Sequence, residues 1–319
     1  MKVAVTGASG LIGGALVDRM AARGDQVTVL TRDPDGARAR HDAKAPPAGG
    51  ESATHERQPR TFARWEPLRE PAPAQALREQ DAIVHLAGEP IAQRWSEKVK
   101  RAIRDSRVLG TRNLVQGLRT LDEGARPRAL VSASAIGYYG SHGPEPIDED
   151  APAGSDFLAQ VCADWEAEAR GAEQLGMRAA QVRIGVVLER SGGALAQMLR
   201  PFRLGLGGPV GGGAQYMAWI HCDDLVGMML AALSDERWSG PFNGTAPEPV
   251  TSGVFARALG HALHRPALLP VPTLALRLLY GEMAYVITTG VRAMPAKALV
   301  LGYSFEHPRL EEALRSALG

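Results

Sequence analysis

Several residue types and patterns are scarce in this 319-residue sequence, and each scarcity excludes a class of protein. Only five of the 36 basic Lys and Arg residues are lysines. The two cysteines, Cys162 and Cys222, have no C-x-x-C spacing, which argues against a disulfide framework and a cysteine-based metal site. No apolar run approaches the roughly 20 residues of a membrane span. The chain begins directly in an apparent strand, without a signal peptide. These absences predict a cytoplasmic protein.

The charge balance excludes partners that are recognised mainly by charge. The 36 Lys and Arg residues are nearly matched by 35 Asp and Glu residues, so neither nucleic acid nor an anionic membrane is an expected partner. An apolar content of 45% is enough for a substantial core. We therefore expect a globular protein that binds a small-molecule substrate or effector, and the sequence does not indicate its oligomeric state.

The first half of the chain alternates short apolar runs with longer helical segments, which predicts an α/β fold with a doubly wound parallel (Rossmann) sheet. The predicted dinucleotide-binding domain covers residues 1–185 and 219–247. Residues 36–62 have no sustained periodicity and are predicted to be a mobile insertion. Residues 186–218 and 248–319 are predicted to form a substrate-side lid and a smaller C-terminal α/β domain, with the glycine-rich stretch 205–215 as the lid loop.

The strongest motif is a glycine triplet between the first strand and the first helix. In VTGASGLIGGALV, residues 5–17, Gly7 suits a tight turn, Gly10 allows a pyrophosphate to approach the backbone, and Gly13 allows close packing of the helix on the strand. The N-terminus of the helix adds partial positive charge. This strand, turn and helix context predicts dinucleotide binding.

The end of the second strand bears on the choice of cofactor. Thr31 and Arg32 stand where an NAD-binding chain usually places an acidic residue against the ribose hydroxyls. Because arginine suits a 2′-phosphate, NADP(H) is favoured over NAD(H). Asp33 leaves an alternative open, since a shift of one residue would bring its carboxylate to the ribose.

Four motifs together resemble those of the extended short-chain dehydrogenases/reductases. They are the glycine triplet, HLAG after the fourth strand, SASAIGYYG after the fifth and WIHCDD at 219–224. The stretches at 86–111, 156–169, 201–221 and 256–272 are similar to a subgroup called epimerase family proteins, which has a small C-terminal domain of unknown function. The resemblance covers essentially the whole chain except 36–62.

This resemblance implies cofactor contacts along several elements. It implies a role for Arg107 on the helix after HLAG, although a surface charge there is an equal alternative. Arg183 and Val187 would border the nicotinamide side. The full set of implied cofactor-binding residues is Gly7, Ser9, Gly10, Leu11, Ile12, Gly13, Thr31, Arg32, Leu86, Ala87, Gly88, Glu89, Arg107, Ser132, Ala133, Arg183 and Val187.

The residue pair that usually performs proton transfer in this superfamily is absent. Family members use a serine, a tyrosine and a lysine four residues after the tyrosine, and Ser134 matches the serine. The following helix has Leu158 and Cys162 at the positions of the tyrosine and the lysine, and residues 141–180 contain neither residue type. The remaining candidate acids are Tyr138 and Tyr139, with a nearby arginine (170, 178 or 183) supplying the positive charge. Packing beneath the cleft is the alternative role for both rings.

Two functional classes follow from these observations. The first is an NADP(H)-dependent oxidoreductase or epimerase that acts on a small polar or nucleotide-sugar-like substrate with a non-standard proton donor. The second is an NADP(H)-binding regulatory or sensor protein with little or no turnover. No metal site is predicted, because His221 and Asp223 are only two ligands on one extended stretch. They are interpreted as a turn in which Asp223 or Asp224 caps the next helix.

Overall fold

A parallel sheet forms the centre of the computed structural model, which describes residues 1–43 and 60–319. In chain order the strands are β1 (Lys2–Thr6), β2 (Gln26–Thr31), β3 (Thr61–Arg64), β4 (Ala82–His85), β5 (Ala129–Ala135), β6 (Pro146–Ile147), β7 (Arg178–Ile184), β8 (Val186–Leu188), β9 (Tyr216–Met217), β10 (Trp219–His221), β11 (Gly240–Gly244), β12 (Val250–Thr251) and β13 (Arg292–Ala293). Seven of them form the central sheet in the order β11-β7-β5-β4-β1-β2-β3. This order confirms the predicted doubly wound fold.

Helices cover both faces of this sheet and also form much of the part that lies beyond it. They are α1 (Leu11–Ala22), α2 (Pro34–Ala43), α3 (Ala74–Leu77), α4 (Glu97–Arg119), α5 (Phe157–Arg170), α6 (Gly193–Arg203), α7 (Cys222–Ser234), α8 (Ser252–Ala262), α9 (Thr273–Tyr280), α10 (Ala284–Thr288), α11 (Ala296–Val300) and α12 (Leu310–Leu318). Helices α1 and α7 pack on one face around Val3 and Val5. Helices α4 and α5 pack on the other face, around Ala4 and Ile83. Because both faces are covered, the central strands are buried runs of apolar residues.

A smaller apolar cluster lies beyond the central sheet. It joins residues of α6, α8 and α12 around the fully buried Trp219 of β10. Strand β10 pairs with β8 in a separate two-stranded parallel sheet, and β9 pairs with β12 in an antiparallel one. The chain therefore has the smaller C-terminal α/β part that the sequence predicts, whereas the exact domain boundaries stay a prediction.

Two segments differ from the sequence predictions. Both ends of the insertion predicted over 36–62 have regular structure, because α2 extends to Ala43 and β3 begins at Thr61, and its mobility stays a prediction. Asp33 starts α2 by accepting the N–H of Gly36 on its carboxylate at 2.9 Å. The central part of the insertion, 44–59, lies outside the described residues. Helix α6 was not predicted, because Pro201 and the flanking glycines obscure its periodicity.

No helix among the described residues is both long enough and apolar enough to cross a membrane.

Candidate functional site

The chain reverses its winding direction between β1 and β4, and the glycine turn lies at this point. Gly7 has φ +71°, and a Cβ there would stand 2.6 Å from the carbonyl carbon of Leu86. A Cβ on Gly13 would overlap the backbone of Gly7. Side chains are thus excluded at both positions, because β1, α1 and the loop after β4 approach one another too closely. The two glycines perform the structural roles that the motif predicts.

Helix α1 presents an open N-terminus beside this turn. Its N-cap residue, Gly10, provides no side chain to bind the first backbone N–H groups, and the first turn contains no acidic residue. Ser9 and Gly10 are exposed, and Leu11 and Ile12 are half-buried in or next to the first turn. Unpaired N–H groups and the helix dipole at such an end favour an anion. The geometry therefore fits a pyrophosphate.

A buried histidine fixes the loop after β4 against β1. Thr6 Oγ1 accepts the N–H groups of Leu86 and Ala87 at 3.1 and 3.2 Å and lies 2.8 Å from His85 Nδ1. Both lone pairs of the Thr6 hydroxyl accept backbone N–H groups, so its proton points to His85 Nδ1. The proton of the neutral ring is therefore on Nε2, which donates to Thr111 Oγ1 at 3.0 Å. Desolvation lowers the pKa of His85 to about 4, so the ring is neutral at pH 7. Sequence reasoning missed this support, although HLAG contained the histidine.

Arg107 lies where the predicted cofactor contacts converge. A Cβ on Gly88 would lie 3.3 Å from its guanidinium carbon, so the group covers the loop after β4. Its Nη1 donates to the carbonyl oxygens of Glu89 and Ile103, at 3.0 and 3.1 Å. Desolvation lowers its pKa, and no carboxylate of the described residues forms an ion pair with it. An incompletely compensated cation at this place suits an anionic ligand.

Asp33, which follows β2, contacts α2. Its carboxylate accepts the N–H of Gly36 at 2.9 Å and faces Arg40 at 3.8 Å. Arg32 is exposed, and within residues 1–43 and 60–319 it has no hydrogen-bond or ion-pair partner. Arg64 lies opposite Thr31 in the neighbouring strand β3. Sequence reasoning did not select this second arginine, which is the last residue of β3.

The serine of the predicted active site is part of a buried polar network. Ser134 is 2% exposed, and its hydroxyl donates to Glu166 Oε1 at 2.7 Å. Arg183 binds both oxygens of Glu166, at 2.8 and 3.0 Å. Burial opposes the charge of Arg183, but its hydrogen bonds and attraction to Glu166 outweigh burial and raise its pKa. Ser134 therefore lies at the expected strand end with its proton already engaged.

Three of the predicted site residues are buried and form hydrogen bonds inside the protein. Arg183 is buried against Glu166, whose carboxylate compensates its charge. Ser132 is fully buried in β5, and its hydroxyl donates to the carbonyl of Ala133 at 3.2 Å. Tyr139 is 1% exposed and donates to Asn243 Oδ1 at 2.7 Å while accepting from Arg183 Nη1 at 2.9 Å. Ala133 and Val187 are also buried.

Burial also determines the acidity of the groups near Ser134. Desolvation raises the pKa of Tyr139 to about 12, and the neighbouring Arg183 only partly offsets this effect. Desolvation and the nearby Glu166 raise the pKa of the Cys162 thiol to about 12. Neither group is suited to release a proton near neutral pH. Cys162, at the position of the missing lysine, is a buried thiol and not a relay.

Tyr138 differs from its neighbour in exposure. It is half-buried, and its ring lies under the Arg183 guanidinium, whose carbon is 3.5 Å from the ring centroid. Its edge meets the ring of Tyr139 at a centroid distance of 5.4 Å. Leu158, at the position of the missing tyrosine, packs near Gly137 in the same turn. Tyr138 is thus the more exposed of the two phenols in this loop.

Comparison with known proteins agrees with this geometry. Residues 3–243 match the model of the NAD dependent epimerase/dehydratase family, and residues 271–317 match a domain of unknown function, DUF1731. A chloroplastic epimerase family protein SDR39U1 homolog from Arabidopsis thaliana is 41% identical over 318 residues, which cover 100% of this chain and 87% of the relative. The Bacillus subtilis epimerase family protein YfhF is 35% identical over 98% of this chain and 97% of its own.

Solved structures show the same architecture. The human epimerase family protein SDR39U1 (isoform 2), crystallised with NADPH, matches with a TM-score of 0.83 and 34% identity over 100% of both chains. A UDP-glucuronic acid 4-epimerase from Bacillus cereus has a TM-score of 0.76 over 99% of this chain and 98% of its own, but only 16% identity, so this likeness concerns the fold alone. The chain described here belongs to the NAD dependent epimerase/dehydratase family.

Proposed function

We propose that this protein binds NADP(H) at the switch point between β1 and β4. The observation that carries the proposal is the glycine turn, where Gly7 and Gly13 admit no side chain and α1 begins without a capping group. The pyrophosphate fits the first turn of α1, and Ser9, Leu11 and Ile12 are placed to border it. The human relative crystallised with NADPH supports the assignment. When bound, the nicotinamide supplies a hydride donor or acceptor.

The preference for a 2′-phosphate rests on Arg32. Its guanidinium is exposed at the end of β2, and the nearby Asp33 carboxylate is engaged by Gly36 and Arg40. Arg64, at the end of the adjacent strand, adds a second positive charge at the same sheet edge. Thr31 is half-buried beneath them. Arginine binds phosphate with charge-assisted and often bidentate hydrogen bonds. The NAD ribose has no 2′-phosphate and cannot form them.

Residues after β4 would hold the middle of the cofactor. The loop after β4 contains Leu86, Ala87 and Gly88. Thr6 Oγ1 holds it in position by accepting the N–H groups of Leu86 and Ala87. The Glu89 N–H donates to Ser106 Oγ at 2.9 Å, so Glu89 is held in place by α4. Arg107 places its charge over Gly88 and is available to an anion that binds against this loop. These contacts orient a ligand without any proton transfer.

For the reaction, we propose hydride transfer on a small polar or nucleotide-sugar-like substrate, with Tyr138 as the proton donor. Tyr138 is half-buried, and the Arg183 guanidinium carbon lies 3.5 Å from the centroid of its ring. Arg292 lies on β13 between residues that pack near Tyr138 and Tyr139. Its Nε is buried without a hydrogen-bond partner among the described residues. A substrate with an anionic group would satisfy it.

The alternative is a regulatory or sensor protein that binds NADP(H) with little turnover. A specific observation favours it: the Ser134 hydroxyl donates to Glu166 and therefore does not offer its proton to a substrate carbonyl. The usual serine, tyrosine and lysine relay is replaced by a buried network of Ser134, Glu166, Arg183 and Tyr139. In either reading we propose a small-molecule ligand and a cytoplasmic location, and neither nucleic acid nor membrane as partner.

A turnover assay distinguishes the two functions. NADPH consumption is measured against mixed pools of carbonyl compounds and nucleotide sugars, with NADPH binding measured in parallel. Consumption supports the enzyme, and tight binding without consumption supports the sensor. On any substrate found, Tyr138→Phe should reduce the rate constant by about 10²- to 10⁴-fold, because a positioned general acid is lost.

NADPH affinity is the control measurement in this experiment. NADPH binding should stay unchanged in Tyr138→Phe, since the hydroxyl is assigned to the substrate and not to the cofactor. Ser134→Ala is the comparison on the preceding strand, and it should reduce turnover less than Tyr138→Phe if Ser134 only supports Glu166. Wild-type turnover in Tyr138→Phe would remove this phenol from the chemistry.

A further inference from the structure

Three potential metal ligands converge where the C-terminal tail meets the start of α7. His221, Asp223 and His307 each direct one ligand atom into a space in which these atoms lie within 4.8 Å of one another. Asp223 Oδ2 is 3.5 Å from His221 Nδ1 and 4.0 Å from His307 Nε2. The two imidazole centroids are 3.9 Å apart. The cluster is formed by α7 and the tail, not by the glycine turn.

Backbone contacts hold these side chains together without any ion. His221 ends β10, and Asp223 lies in the first turn of α7. The Asp224 carboxylate accepts the N–H groups of Glu306 and His307 at 2.7 and 2.9 Å. This fixes the tail so that the imidazole of His307 lies against that of His221. The structure also corrects the predicted cap, because Asp224 binds the tail while His221 caps α7 by accepting the N–H of Asp223 at 3.2 Å.

His221 is left short of polar partners in this arrangement. Its side chain is 5% exposed, and its Nε2 has no hydrogen-bond partner within the described part of the chain. Because Nδ1 accepts the Asp223 N–H, a metal ion would take the place of this hydrogen bond at Nδ1, the ring atom that lies nearest to Asp223 Oδ2. Zinc binds an imidazole through a ring nitrogen that carries no proton.

The remaining charges suit one divalent cation. Arg19 approaches Asp223 through Oδ1 at 3.4 Å and Glu306 at 3.9 Å, and this leaves Oδ2 facing the imidazoles. A metal-binding carboxylate commonly has its second oxygen engaged in this way. Two acidic groups and one arginine give the immediate surroundings a net negative charge. The side chain of Asp223 is 46% exposed, so an ion can enter from solvent and retain a water ligand.

We propose that His221, Asp223 and His307 bind one zinc ion that joins the C-terminal tail to α7. Two imidazole nitrogens and one carboxylate oxygen suit zinc, whereas calcium and magnesium prefer all-oxygen sites. Bonds of about 2.0–2.1 Å in a tetrahedral site put ligand atoms roughly 3.3 Å apart, so the cluster needs only modest contraction. Sequence reasoning rejected a metal here because it counted only His221 and Asp223, and the third ligand, His307, is remote in the chain.

The test uses tag-free, full-length protein stripped of metal with a chelator. Zinc is titrated in competition with a chromophoric chelator, and cobalt substitution reports the coordination geometry by its visible absorption. Wild type should bind one equivalent and give a tetrahedral cobalt spectrum. His307→Ala and Asp223→Asn should each weaken zinc binding by at least about tenfold. His261→Ala, which changes an exposed histidine of α8, is the matched control and should bind like wild type.

Circular dichroism of the metal-free variants shows whether each one is folded. His307→Gln is the second variant at the tail position if the alanine variant does not fold, and it should show the same loss. Absence of stoichiometric zinc binding in wild type would overturn the proposal. So would wild-type affinity in His307→Ala or His307→Gln, or an equal loss in the His261→Ala control.

Discussion

At the carboxyl edge of the sheet, buried hydrogen bonds determine the roles of single residues. His85 and Tyr139 illustrate this, because each is buried and each connects two strands through its polar atoms. Both belong to motifs that suggest chemistry, HLAG and GYYG. Their burial assigns them to the framework around the strand ends, and Tyr138, one residue from Tyr139, is the more exposed phenol.

Acid should destabilise the protein through His85. Its pKa falls from 6.5 to about 4 on folding, so between these pH values the unfolded chain binds a proton that the folded protein does not. Stability contributed by the neutral ring is therefore full above pH 6.5 and is lost as the pH falls. From pH 7.5 to pH 5.5 the free energy of unfolding should drop by about 1.4 kcal/mol from this group alone.

Urea unfolding of wild type and of His85→Gln at these two pH values measures the effect. Glutamine retains a donor and an acceptor but does not titrate, so the variant should be less stable at pH 7.5 yet lose about 1.4 kcal/mol less on acidification. Equal pH dependence in the two proteins would show that His85 does not titrate as described.

The two adjacent tyrosines should respond differently to loss of the hydroxyl. Tyr139→Phe removes the partner of both Arg183 Nη1 and Asn243 Oδ1 inside the protein, so it should cost about 1–3 kcal/mol of folding free energy. Tyr138→Phe leaves no buried polar atom unpaired and should change stability by less than about 0.5 kcal/mol. Urea denaturation compares them directly, and equal losses would contradict the burial described for Tyr139.

At the level of elements, the junction of β1, α1 and the loop after β4 determines where a ligand can bind. Gly7 and Gly13 permit this junction, and α1 then points its uncapped N-terminus at the sheet edge. The neighbouring Gly14 has no such constraint, because a Cβ there would lie 3.6 Å from the Ala8 carbonyl oxygen in ordinary contact. Gly13 and Gly14 are therefore a matched pair of sites at which the same alanine substitution can be compared.

Gly13→Ala should abolish measurable NADPH binding, since the added methyl overlaps the Gly7 backbone and forces β1 and α1 apart. Gly14→Ala should bind NADPH like wild type and gain up to about 1 kcal/mol of stability, because alanine favours a helix over glycine. Isothermal titration calorimetry and thermal unfolding of both variants provide the comparison. A loss of affinity in Gly14→Ala as large as that in Gly13→Ala would show that the close contact at Gly13 is not what matters.

At the level of the whole molecule, the sequence predicts the fold well because the first half alternates between strand and helix. Local sequence patterns alone indicate the glycine turn, the position of Arg32 and the absence of the tyrosine–lysine pair. The network of Ser134, Glu166, Arg183 and Tyr139 was not, because it joins β5, α5 and β7 through side chains far apart in the chain. The role of Asp33 depended on a one-residue choice between helix cap and ribose contact, which only the position of Gly36 decides.

The same network ties the C-terminal part to the sheet. Glu149 accepts the N–H of Asn243 at 2.9 Å and that of Lys297 at 3.2 Å, and Asn243 Nδ2 donates to the carbonyl of Met294 at 2.8 Å. Ser134, which matches the serine of the superfamily, thus belongs to a network that holds two parts of the molecule together. Binding of NADP(H) is thus the property that both proposed functions share.

The central claim is tested most directly by titrating NADPH and NADH into wild type and Arg32→Ala by calorimetry. A charge-assisted contact to the 2′-phosphate is worth roughly 1.5–3 kcal/mol, so NADPH should bind wild type about 10- to 100-fold more tightly than NADH. Arg32→Ala should lose most of this preference with NADH affinity unchanged, while Arg237→Ala, which removes an exposed arginine paired with Asp235, should behave like wild type. Equal or tighter binding of NADH by wild type would contradict the account.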